Sequence, residues 1–122
     1  MIKNVEVERY CISSLIRYPK LYSDISHFVK SEDFAASKLH KMTYQVIADL
    51  LKRGEELNVY TISEKLKNLS IKFNETEDVF SYLEAIESIQ ISETGALTFF
   101  KDLAKTTMRR EIANAGLKLS KE

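Results

Sequence analysis

One short stretch of the chain carries the residue types that acid–base or metal chemistry needs. Residues 31–45 read SEDFAASKLHKMTYQ and contain the acids Glu32 and Asp33, the histidine His40 and the phenol of Tyr44. Carboxylates beside a histidine can bind a metal ion or transfer protons. The same residues can also begin a helix, where acids and small polar side chains stabilise the free backbone amides.

The spacing around His40 argues against a metal site. A zinc-binding helix places a second histidine or cysteine four residues further on, whereas this chain has Tyr44 at that position. The other histidine, His27, is predicted on a different short helix. We therefore expect Phe34 to fill the core and His40 to fix the turn by hydrogen bonding.

Other enzyme signatures are missing from the sequence. The glycines are Gly54, Gly95 and Gly116, so neither a phosphate-binding Walker loop nor a glycine-rich dinucleotide loop can form. Glu84 and Glu87 lie three residues apart on a predicted helix, but iron sites of the ferritin type pair Glu with His at that spacing. We expect a solvated face there, no catalytic residues, and no cofactor or metal bound by this chain.

The composition favours one all-helical domain. The chain has 122 residues, of which 44% are hydrophobic and 30% charged, with three glycines and one proline. Cys11 is the single cysteine, so an internal disulfide is excluded and a reducing compartment is favoured. Its position between Tyr10 and Ile12 indicates a buried, inert thiol. Without a signal peptide or an apolar run of about 18 residues, a cytoplasmic location is expected and a membrane partner is not.

Hydrophobic periodicity predicts six helices, with five short ones in a compact bundle and a long one at the C-terminus. Pro19 ends the first helix and Gly54 ends the third, which Ser37 caps. Either Asn58 or Thr61 caps the fourth. The second helix is predicted from the apolar stripe of Leu21, Ile25 and Phe28. Residues Ser70 to Phe73 are predicted to form an extended link. The acids Glu75, Glu77 and Asp78 lie at the predicted start of the fifth helix.

The sixth helix is longer than the head of the molecule can cover. We assign residues 1–93 to a helical head and residues 94–122 to this helix, which would span about 43 Å if unbroken. Its distal seam, including Ile112 and Leu119, needs a second surface. The eighteen basic and eighteen acidic residues cancel, so tight nucleic-acid binding is not expected. The charge is polarised along the chain, which is usually no more than a solvated face but is also what head-to-tail stacking of copies would show.

An ordered series of motifs resembles the N-terminal domain of DnaB-type replicative DNA helicases of bacteria and their phages. The series begins with ERYCISSLIRYP at residues 8–19. It continues with EDF, His40 and YQVIADLLKRGEELNVYTISEKL, and then SYLEAI. Phe99, Leu103, Arg110 and Ile112 fall where that family shows Tyr, Val, Arg and Leu. Glu77 and Asp78 depart from a common Gly-Gly turn, which suggests a divergent member.

The resemblance implies a non-catalytic collar on a hexameric helicase whose ATP-hydrolysing motor is a separate domain. Such collars pair through a two-helix hairpin, and the sixth helix would be its first arm, with the second arm after Glu122. The implied partners are other copies of the chain, primase and a helicase loader. Two alternatives are the helicase-binding domain at a primase C-terminus and a free-standing regulator of the helicase.

This resemblance also indicates which residues form interfaces. The predicted oligomer interface consists of Phe99, Phe100, Leu103, Met108, Ile112 and Leu119. For Phe100 and Leu103, burial in the core of the head is an equally good interpretation. The predicted partner-binding residues are Tyr82, Arg109 and Arg110, and for the arginines the alternative is an ordinary solvated surface.

Overall fold

The computed structural model describes residues 5–74 and 76–105, and no β-strand occurs within these ranges. The helices are α1 (Val5–Arg17), α2 (Leu21–Ile25), α3 (Lys38–Lys52), α4 (Val59–Asn68) and α5 (Val79–Glu87), with a 3-10 turn at Ser31–Asp33 between α2 and α3. A sixth helix, α6, begins at residue 93 and continues to 105, the last described residue. The all-helical prediction is therefore confirmed, and α6 begins one residue before the predicted Thr94.

The helix ends follow local sequence signals. The Ser37 hydroxyl accepts a hydrogen bond from the His40 amide at 3.2 Å, which caps α3 as predicted. Asn58 caps α4, since its side chain accepts from the Thr61 amide at 2.8 Å and Thr61 Oγ1 accepts from the Asn58 amide in return. The choice between Asn58 and Thr61 is thus settled in favour of Asn58. Asp78 caps α5 through the Ser81 amide, and these bonds to Ser81 lower the pKa of its carboxyl.

The core lies where α1, α3, α4, α5 and α6 meet. Among its largest fully buried side chains are Phe34, Phe100, Ile12, Leu15, Ile47 and Leu83. The prediction that Phe34 fills the core is confirmed, and its ring stacks on Tyr44 with 4.8 Å between centroids. Burying each aliphatic or aromatic side chain contributes roughly 1.5–3 kcal/mol, so this cluster supplies most of the driving force for folding.

Among the residues that the structure describes, two adopt the left-handed backbone conformation, and one of these two is glycine. Gly54 has φ of +69° after α3, as predicted, and Ser70 has φ of +56° after α4. A side chain at such a position costs roughly 1–2 kcal/mol, because its Cβ approaches the following carbonyl. A Cβ added at Gly54 would meet no atom within 4 Å, so only the backbone strain would oppose it.

These two turns form a matched pair for mutation. Ser70→Gly should raise the free energy of unfolding by about 0.5–1 kcal/mol, since the relief of strain exceeds the entropy that glycine adds to the unfolded chain. Gly54→Ala should lower it by about 1 kcal/mol for the opposite reason. Urea denaturation followed by circular dichroism measures both. A loss of stability in Ser70→Gly would show that the serine side chain stabilises the turn.

The connection between α5 and α6 is held by side chains of α1 and by Tyr18, the residue that follows it. Ser13 Oγ donates to the carbonyl of Ile89 at 3.1 Å, and Tyr18 Oη donates to the carbonyl of Ile91 at 2.9 Å. The Arg17 guanidinium donates to the carbonyl of Glu87 at 3.0 Å. These bonds satisfy the carbonyl of the last α5 residue, Glu87, and two carbonyls of the connection that follows it. The first helix therefore fixes the point at which α6 begins.

Candidate functional site

The acids and the phenol singled out in residues 31–45 do not assemble around His40. Asp33 Oδ2 accepts from the Lys30 amide at 2.7 Å and so closes the 3-10 turn. Tyr44 Oη points away from His40 and donates to the carbonyl of Val29 at 2.8 Å. Burial raises the pKa of the Tyr44 phenol far above its ordinary value. These residues stabilise the entry into α3, and the acid and phenol that contact His40 come from other helices.

His40 is fully buried and bridges two distant parts of the chain. Its Nδ1 lies 2.9 Å from Oε1 of Glu8 on α1, and its Nε2 lies 2.8 Å from the hydroxyl of Tyr82 on α5. Glu8 is itself only 1% exposed, and its second oxygen, Oε2, accepts from the Ala36 amide at 2.8 Å. The prediction that His40 acts through hydrogen bonding is confirmed. Its bonds hold α1, α3 and α5 together, a wider role than fixing one turn.

The Tyr82 side chain continues this network to the surface. Arg9 Nε donates to the Tyr82 hydroxyl at 3.4 Å, and the guanidinium carbon lies 5.6 Å from the centre of the Tyr82 ring. Arg9 also pairs with Glu6 at 3.2 Å. Beside the pair is a cleft of about 230 Å³ between α1 and α5, floored by Ala85, Ile86 and Ile89. A half-buried tyrosine under an arginine is a common composition for a protein-binding surface.

Along this network a carboxylate bonds an imidazole, which in turn bonds a hydroxyl. Hydrolytic triads have the same order of groups. Here the hydroxyl belongs to a phenol that already bonds Arg9, and the imidazole of His40 has no exposed surface. A substrate could not reach the ring without unpacking α1 from α5. The geometry is that of a structural network with one polar group at a protein surface.

The predicted interface residues of α6 divide into two groups. Phe100 is fully buried and Leu103 is 2% exposed, so both lie in the core, the alternative left open for them. Phe99 is half-buried and packs against Tyr10, with 4.8 Å between ring centroids. Met108, Arg109, Arg110, Ile112 and Leu119 lie outside the described residues. Of the predicted partner-binding residues, Tyr82 is therefore the one that the structure places.

Cys11 is buried, as its position in α1 predicted. Burial raises the pKa of its thiol well above the ordinary value, and the charges of Glu8, Asp102 and Asp33 act in the same direction. A thiol held in its protonated form is a poor nucleophile, because the thiolate is the reactive species. Its surroundings are those of a small packed side chain.

The described part of the chain comprises residues 5–74 and 76–105. Within these ranges no group of three or more His, Cys, Asp and Glu side chains is arranged to hold a metal ion. Nor is any helix there long and apolar enough to cross a membrane.

Sequence reasoning missed Glu8 and Arg9 as members of the network. Glu8 precedes Ile12 and Leu15 by four and seven residues, so it lies on the same helical face as these buried side chains. An acid on the apolar stripe of a helix is a signal for a buried partner, because an unpaired carboxylate is costly to bury. The signal does not name the partner, which lies 32 residues further along the chain.

Comparison with known proteins agrees with this arrangement. The family model for the DnaB-like helicase N terminal domain matches residues 1–97. A crystal structure of the N-terminal domain of DnaB helicase from Mycobacterium tuberculosis is similar with a TM-score of 0.81, covering 98% of this chain and 83% of that chain at 18% sequence identity. Identity at that level shows a shared fold, and no curated protein matches. Because the family model matches most of its length, this chain belongs to the family of DnaB-like helicase N-terminal domains.

Proposed function

We propose that this chain is a non-catalytic collar domain of a hexameric replicative DNA helicase, where it mediates self-association and the docking of primase or a helicase loader. Membership of the DnaB-like N-terminal family is the observation that supports this proposal. The glycine positions support the non-catalytic part, because they leave no Walker loop in the sequence. The proposed location is the cytoplasm, where such a helicase works on DNA.

Self-association is proposed to use the part of α6 beyond its buried start. Phe100 and Leu103 are buried in the core of the head, so they are not accessible to a partner. Phe99, on the neighbouring face of α6, is only half-buried. Met108, Ile112 and Leu119 continue an apolar seam at helical spacing in the sequence. We propose that this seam, together with Phe99, packs against a second helical arm or a second copy of the chain.

Partner docking is proposed to use the cleft between α1 and α5. Tyr82 lines this cleft, with apolar floor residues beside it and Arg9 over its ring. A rigid aromatic group next to a charge resembles the residues that carry most of the affinity at protein interfaces. Arg109 and Arg110 are proposed as further charged contacts. The net charge of zero supports docking of proteins over direct binding of nucleic acid.

Two aspartates on the seam of the last helix test the self-association. Ile112→Asp with Leu119→Asp should abolish any concentration-dependent dimer of the chain and leave its thermal midpoint nearly unchanged. Each buried aliphatic side chain is worth roughly 1.5–3 kcal/mol, which is partly offset by the entropy lost on association. Sedimentation equilibrium at several protein concentrations measures the dimer, and thermal melting measures the fold.

Asn114→Asp with Lys121→Asp is the matched control for this test. These positions have the same seven-residue spacing, but lie on the opposite side of the predicted helix. The control should keep the association of the wild-type chain. If the seam variant unfolds outright, Ile112 and Leu119 are core residues. If it associates like the control, the seam is not the interface.

A further inference from the structure

The hydrogen bonds around His40 form a relay that runs from a partly buried backbone amide to a surface arginine. Its links are the Ala36 amide to Glu8 Oε2 at 2.8 Å, Glu8 Oε1 to His40 Nδ1 at 2.9 Å, His40 Nε2 to the Tyr82 hydroxyl at 2.8 Å, and that hydroxyl to Arg9 Nε at 3.4 Å. Three helices and the loop before α3 contribute to it. The groups at the two ends of this relay determine which atom of each hydrogen-bonded pair carries the hydrogen.

The carboxylate of Glu8 sets the direction of the first links. An ionised carboxylate accepts hydrogen bonds and donates none, so the hydrogen between Glu8 and His40 must be on Nδ1. In a neutral imidazole that carries its hydrogen on Nδ1, Nε2 is a lone-pair acceptor. The group within reach of Nε2 is the Tyr82 hydroxyl, which therefore donates to it. The ring of His40 is fully buried, so water does not compete for either nitrogen.

The direction of the Tyr82 hydroxyl then determines how it meets Arg9. With its hydrogen directed inward to His40, the phenol oxygen presents only lone pairs toward the cleft. Arg9 Nε, which always carries a hydrogen, donates to that oxygen and brings the guanidinium over the ring. A phenol with its hydrogen directed outward would place a donor against a donor. The inward direction thus favours the observed stacking of Arg9 on Tyr82.

We infer that Glu8 and His40 are positioning residues, which orient the Tyr82 hydroxyl and through it hold Arg9 over the ring at the mouth of the α1–α5 cleft. The biological use of this surface rests on the proposed docking function, whereas the relay itself is a property of the chain alone. Glu8 and His40 do not contact the cleft. They act by removing the rotational freedom of a hydroxyl and of an arginine that would otherwise be lost when a partner binds.

The test uses nuclear magnetic resonance on the uniformly 15N-labelled chain. Long-range 1H–15N correlations should show the His40 ring protonated at Nδ1, and the Arg9 Nε–H should exchange slowly with water. Tyr82→Phe keeps the ring but removes the hydroxyl, so the Arg9 Nε–H should exchange about tenfold faster, the equivalent of ~1.4 kcal/mol. Glu8→Gln should remove the preference for the Nδ1-protonated ring, since an amide can donate as well as accept.

Tyr44→Phe is the matched control. It also removes a phenol hydroxyl that donates a hydrogen bond, but this phenol lies on α3 and its acceptor is the carbonyl of Val29. It should leave the His40 ring and the Arg9 Nε–H unchanged. A wild-type His40 protonated at Nε2, whether alone or together with Nδ1, would overturn the inference without any variant, and equal effects of Tyr44→Phe and Tyr82→Phe on Arg9 would overturn it too. Because no partner protein is added, these results are separate from success or failure of the proposed docking function.

Discussion

Glu8→Ala should lower the free energy of unfolding by about 3–5 kcal/mol, because it removes the acceptor of two hydrogen bonds inside the folded head. The variant leaves two donors without an acceptor, namely the fully buried Nδ1–H of His40 and the partly buried amide of Ala36. Each unsatisfied donor costs about 1–3 kcal/mol. A domain of this size is stable by about 5–15 kcal/mol in total, so the variant should be close to unfolding.

Glu6→Ala is the control for this variant, because Glu6 lies on the same helix but keeps 60% of its side chain exposed. Its ion pair with Arg9 is at the surface, so its loss should change the stability by no more than about 0.5 kcal/mol. Urea denaturation at neutral pH, followed by circular dichroism, compares the two variants. Equal losses would mean that the buried network contributes no more than a surface ion pair.

Phe100→Ala should cost about 3–5 kcal/mol, because a fully buried aromatic side chain loses its transfer free energy and leaves a cavity. The neighbouring Phe99→Ala should cost clearly less, since Phe99 is half-buried and packs mainly on Tyr10. The same urea titration measures both stabilities, and sedimentation measures self-association. We expect Phe100→Ala to affect folding and Phe99→Ala to affect association.

This pair of variants separates core from interface within one turn of α6. If Phe100→Ala were as stable as the wild-type chain but failed to associate, the interface prediction would hold for Phe100 and its burial would be unimportant for folding. If Phe99→Ala lowered the stability as much as Phe100→Ala, Phe99 would belong to the core of the head. The urea titration and the sedimentation measurement together distinguish these outcomes.

Local features were predictable because their causes lie within a few residues. Ser37 caps the helix that it precedes, and Gly54 takes the left-handed conformation directly after the helix that it ends. Pro19 follows the end of α1 by two residues. Side-chain periodicity gave the buried faces for the same reason. Each of these signals reports a short-range interaction that the sequence displays directly.

The candidate site could not be predicted in this way. His40 bonds Glu8 and Tyr82, which are 32 and 42 residues away, and the neighbouring phenol of Tyr44 proved to be a misleading candidate. Periodicity likewise placed Phe100 on an apolar face but could not say what covers it. An apolar face in the core and one in an interface have the same sequence pattern, and only the packing of α6 on the head distinguishes them.

The bonds between α1 and the α5–α6 connection join residues that are 70 to 76 positions apart. Small helical proteins usually fold quickly because most of their contacts are between near neighbours in sequence. Here the first helix is made long before its partners Ile89 and Ile91. At ribosomal rates of ~5–20 residues per second, α1 waits roughly 4–15 s for them. During that time Ser13, Arg17 and Tyr18 are without the carbonyls that they bond in the finished head, so the nascent chain cannot complete this fold from its N-terminal end alone.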